Sequence, residues 1–117
     1  MAEDDEEARR VAAPEGEWFV NMAERLYQPW QGRNVPSSYQ FAVSAVQEER
    51  VNKTAADHID SGAFAMGSPD TVIKVLKKYE EAGVDQILCF MQMGNLAHSR
   101  IMDSIKLFAR HVIPYFK

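Results

Sequence analysis

The stretch from Met66 to Gly94 sets a short helix, with start and stop signals at its two ends, between two apolar runs, and this limits the folds open to the chain more than any other feature. Ser68-Pro69-Asp70 predicts the helix start: a hydroxyl to accept from free N–H groups, a proline where a missing N–H costs nothing, and an acid on the positive end of the dipole. Gly83 predicts the stop, in the left-handed C′ conformation, with Val84 folding back over the last turn. Between them Val72, Ile73, Leu76, Tyr79 and Ala82 recur at helical spacing, while Lys74, Lys77, Lys78, Glu80 and Glu81 fall mostly on the other face. Ile87-Leu88-Cys89-Phe90-Met91 is apolar without alternation, the pattern of a strand covered on both faces, and Ala63-Phe64-Ala65-Met66 suits a parallel neighbour. The expected fold is α/β, mostly helical, with a small parallel sheet of strands at about 62–66 and 86–91 joined by a right-handed crossover.

Ligands collect at the carboxyl ends of strands in such units, which makes Gly67, Ser68, Gln92, Gly94 and Asn95 candidate binding residues. His98 joins them, near the first turn of the last helix. A tight turn and helix capping account for the same residues without any ligand.

Gly67-Ser68-Pro69-Asp70-Thr71, Glu81-Ala82-Gly83-Val84-Asp85-Gln86-Ile87 and Ser104-Ile105-Lys106-Leu107-Phe108 with Val112-Ile113-Pro114 resemble the C-terminal region of the luciferase-like, flavin-dependent monooxygenases. Asp4-Asp5-Glu6-Glu7-Ala8-Arg9 resembles an acidic helix start further upstream in the same family. The resemblance implies a (β/α)8 TIM barrel that uses reduced FMN and dioxygen to oxidise a small organic substrate, with Gly67, Ser68, Gln92, Gly94, Asn95 and His98 bordering the flavin or substrate pocket. At 117 residues the chain is well short of a barrel of about 250 residues. It corresponds to a single partial domain, helical over 1–61 and βαβα over 62–117, and the catalytic acid or base has no counterpart in it.

The composition, 46% hydrophobic and 26% charged with a net charge of −4, fits one small soluble domain and gives no basic surface for nucleic acid or an anionic membrane. No run approaches the roughly 20 apolar residues of a membrane span, and Met1 is followed by acids, so a cytoplasmic chain without a targeting segment is expected. The lone Cys89 excludes an internal disulfide and reads as a small core residue. No metal site is expected.

Ala2–Ala13 predicts a helix ended by Pro14 and Gly16, and Glu17–Tyr27 a second one with Trp18, Met22 and Leu26 as a core stripe. Gln28–Ser38 reads as a loop anchored by Tyr27 and Trp30, and Ser37 or Ser38 as the cap of a helix reaching about Glu49. Thr54 caps a short helix that stops before Gly62. Asp57, His58 and Asp60 on it read either as an acid-flanked base or as plain surface polarity. The last helix carries Ile101, Ile105, Phe108 and Val112 on one face and stops at Pro114, with His111 at the negative end of its dipole.

Two functions follow: the C-terminal segment of a flavin-dependent oxidoreductase, or a non-catalytic fragment that self-associates or docks on a partner chain. Two parallel strands leave open edges with unpaired N–H and C=O groups, so a homo-oligomer or a partner chain is expected to cover them.

Overall fold

The structure, a computed structural model, describes residues 1–27, 34–41 and 53–116. Its first element is a single helix, α1, Asp5–Tyr27, with Pro14 inside it. The break expected at Pro14 and Gly16 does not occur. Pro14 forfeits one backbone hydrogen bond, at a cost of about 3 kcal/mol in a helix interior, but Ala8, Ala12 and Gly16 form a buried stripe at i, i+4 and i+8 that holds the helix through it. The small side chains let other segments approach closely. A Cβ on Gly16 would lie 3.3 Å from the Phe64 ring and 3.4 Å from the Ala55 Cβ. The expected aromatic stripe turns outward instead, with Trp18 and Leu26 both exposed.

Helix α2, Ala55–Ser61, starts in a capping box: the Thr54 hydroxyl accepts from the Asp57 N–H, and the Asp57 carboxylate accepts from the Thr54 N–H at 2.6 Å. It stops at Gly62 in the left-handed region, φ 83°. Helix α3, Pro69–Glu81, has the expected caps. Ser68 accepts from the Thr71 N–H at its start. At its end Gly83 (φ 85°) donates to the Glu80 carbonyl and Val84 to that of Tyr79, the paired bonds of a Schellman motif. The Tyr79 hydroxyl donates to the Gly62 carbonyl at 3.0 Å, tying α3 to the end of α2.

Helix α4, His98–Leu107, runs on into a π turn, Phe108–Val112, and a 3-10 turn, Ile113–Phe116. The π turn packs on α3 and leaves Val112 with no exposed surface, whereas Ile105 of the expected apolar face is 40% exposed. Residues 37–41 are helical. Trp30, the Tyr27 side chain and the rest of the helix expected up to Glu49 lie outside the described residues.

The expected α/β class and its small parallel sheet are not found: among the described residues there is no strand, and no part of a TIM barrel is seen. The reason differs for the two segments. Residues 62–66 are consumed by the end of α2, where the Phe64 N–H donates to the His58 carbonyl and the Met66 N–H to that of Phe64. These local bonds turn the chain before it can run straight beside another strand. Residues 84–93 carry no regular structure and residues 84–90 are exposed throughout. Their apolar side chains predict burial on two faces, but the Phe19 ring beside Phe90 gives only partial cover. Cys89 is accordingly exposed, not a core residue.

Candidate functional site

Helix α1 organises the molecule through three carboxylates, each accepting from a distant backbone N–H. Asp5 accepts from the Ser68 N–H at 2.6 Å and from the Thr71 hydroxyl at 2.9 Å, at the start of α3. Glu15 accepts from the Asn95 N–H at 2.7 Å. Glu17 accepts from the Ala55 N–H at 2.8 Å, at the start of α2. Each carboxylate satisfies donors that a helix start or tight turn leaves free, and negative charge at a helix N-terminus is favoured by the dipole. The Ser68 N–H, followed by the Thr71 hydroxyl, holds the Asp5 carboxyl below the usual carboxylate range.

These contacts decide the fate of the six candidate binding residues. The Gly67-Ser68 turn is covered by the N-terminal segment: Asp5 holds the Ser68 N–H, and the Ala2 N–H donates to the Gly67 carbonyl. Gly94, at φ 52°, forms the turn that Glu15 closes on Asn95, and the edge of Trp18 lies against it. Gln92 and His98 are exposed on the surface. The turn at 67–68 and the turn at 94–95 therefore do not converge on one pocket, and each is bound by its own carboxylate from α1. A flavin phosphate needs free N–H groups or an unpaired cation at such a place. Asp5 already takes the Ser68 N–H and would repel a phosphate there, so these residues do not fit FMN as the chain stands.

The acid-flanked histidine has a structural explanation. Asp57 caps α2, with its carboxyl lowered chiefly by the Thr54 N–H, Asp60 pairs with Arg9 at 2.7 Å, and the His58 ring lies 5.1 Å from that of Phe64. No group of three His, Cys, Asp or Glu side chains placed to hold a metal occurs among the described residues.

A hollow of about 820 Å³ lies between α1, the Phe64–Met66 turn, α3, α4 and residues 87–91. Phe19, Phe64, Leu76, Phe90, Leu96 and Ile101 give it an apolar wall. On that wall Arg100 is held by Glu7 at 3.0 Å, and Glu7 also binds Arg10. None of the six candidate residues lines it.

Its outer wall is the most unusual part of the chain. Residues 85–92 make no backbone hydrogen bond as donor or acceptor among the described residues. The segment is held by flanking contacts: Val84 closes α3, Leu96 donates to the Met93 carbonyl, and the Phe90 ring lies 5.7 Å from that of Phe19. Leu88 is 88% and Phe90 66% exposed. Unbroken apolar character in the sequence identifies this stretch; what it cannot say is that the stretch stays largely uncovered.

No family model, no curated protein and no solved structure matches the chain. No helix among the described residues is long and apolar enough to cross a membrane.

Proposed function

We propose that this chain is a non-catalytic association module, which works by pairing the segment 85–92 with another polypeptide. The observation that carries this reading is the run of unpaired backbone groups bearing Leu88 and Phe90 on its surface. A strand added along such an edge gains main-chain hydrogen bonds that the isolated chain lacks, and side chains at alternate positions give it specificity. The setting is cytoplasmic, since a reducing compartment keeps an exposed Cys89 as a thiol.

Site-specific photo-cross-linking in the cells that express the chain tests this. A benzophenone amino acid in place of Leu88 is expected to give covalent adducts with a polypeptide. The same group in place of Lys74, an exposed residue on α3, is expected to give none. Equal yields at the two positions, or no adduct at Leu88, would sink the proposal.

A further inference from the structure

We infer that the polypeptide taken up along this edge is a second copy of the same chain, paired antiparallel through residues 85–92 about a twofold axis at Cys89. This rests on the association reading and names its partner. Gln86-Ile87-Leu88-Cys89-Phe90-Met91-Gln92 is a chemical palindrome: an amide, an aliphatic residue and a large apolar residue on each side of one cysteine. A twofold interface brings the same patch of each copy against itself, so such a palindrome is matched at every position in one antiparallel register. In that register Gln86 faces Gln92, Ile87 faces Met91 and Leu88 faces Phe90 of the other copy. The two most exposed apolar side chains of the segment, Leu88 and Phe90, thereby cover each other.

Charge selects the same arrangement. Asp85 is the only charged residue from 85 to 97. Antiparallel pairing sets the two Asp85 carboxylates about 26 Å apart, at roughly 3.3 Å per residue over eight positions, whereas parallel pairing would place them side by side. One strand from each copy covers less than the roughly 800 Å² per partner of a standard interface, and each copy carries a net charge of −4. The dimer is therefore weaker than one with a standard interface.

The register puts Cys89 opposite Cys89. Facing residues of an antiparallel pair have Cα atoms about 4.5 or 5.5 Å apart, and both values lie within the span a disulfide bridges. Added diamide should thus join two copies, the two thiols giving up two protons and two electrons as the diamide is reduced to its hydrazine.

The test is sedimentation of the full chain over a concentration series. The mass is expected to rise from 13.3 kDa towards twice that value. Gln86→Lys with Gln92→Lys sets like charges opposite each other and should weaken the dimer about tenfold, while Gln86→Lys with Gln92→Glu sets opposite charges together and should not weaken it. Both pairs alter exposed side chains that carry no hydrogen bond in the isolated chain. Cys89→Ser should sediment as wild type and lose the diamide cross-link. A monomer at every concentration, equal weakening by the two charge pairs, or no cross-link in the wild type overturns the inference. If the chain is monomeric and the Leu88 photo-adduct has the mass of a different polypeptide, self-pairing fails and the association reading stands; if there is no adduct, both fail.

Discussion

Replacing Gly67 with alanine is expected to destabilise the chain by about 2–4 kcal/mol and to lower its melting temperature by upwards of about 10 °C. The cause is steric and local. A Cβ at this position would stand 2.7 Å from the Asp5 carboxylate and 2.7 and 2.8 Å from the Thr71 side chain, where carbon contacts settle at about 3.5–4.0 Å. Thr71 is branched at Cβ and sits in the first turn of α3, so it has little room to give. Asp5 can move, but only by releasing the Ser68 N–H and the Thr71 hydroxyl. Thermal unfolding followed by circular dichroism measures the loss, and Thr71→Ser in the same variant, which removes the methyl group and keeps the hydroxyl, should recover part of it. The acid limb gives a second readout. The folded carboxyl of Asp5 lies below its unfolded value of about 4, so its contribution is present above that value and is lost as pH falls through the folded one. In the Gly67→Ala variant that limb should flatten. A Gly67→Ala chain with unchanged stability and an unchanged acid limb would show that Asp5 does not hold the start of α3.

How much of this was legible in the sequence depends on the distance over which each contact acts. The caps of α2 and α3 lie within a few residues of what they cap: Thr54 with Asp57, Ser68 with Thr71, Gly83 with Glu80. Residue type and spacing suffice for these. Asp5 with Ser68, Glu15 with Asn95 and Glu17 with Ala55 are separated by 63, 80 and 38 residues, and nothing local marks one acid among 17 as the acceptor of a remote N–H. The candidate binding residues failed to converge for that reason: the turns were recognisable, their occupants were not. The sheet shows the converse error. Apolar runs at 63–66 and 87–91 report what the side chains would gain from cover, but pairing needs a neighbour in reach. The Phe64 N–H is taken by the His58 carbonyl of α2 and the Met66 N–H by the Phe64 carbonyl, and residues 87–91 lie beside the hollow.

Gly16 gives the sharpest contrast between the expected and observed course of α1. If a helix ended there, glycine would supply a left-handed C′ residue, alanine would cost about 1 kcal/mol or more, and a larger side chain would add little steric penalty. In the continuous helix the balance is different. Alanine gains up to about 1 kcal/mol of helix propensity and meets Phe64, Ala55 and Met66 at 3.3, 3.4 and 3.5 Å, a tight fit that the Phe64 and Met66 side chains can relieve. Gly16→Ala is therefore expected to fall within about 1 kcal/mol of wild type. Valine adds two methyl groups at the junction of α1, α2 and the Phe64–Met66 turn, where Ala55 contributes a buried Cβ at the start of α2. The junction must then open, and the expected loss is about 2–3 kcal/mol. It should also weaken the bond from the Ala55 N–H to Glu17, which seats α2 on α1 one residue further along. Denaturant unfolding of the two variants, with amide exchange at Ala55 as the local readout, separates the cases. Near-neutral alanine with costly valine fits one unbroken helix, and a loss already complete at alanine would mean that α1 ends at Gly16.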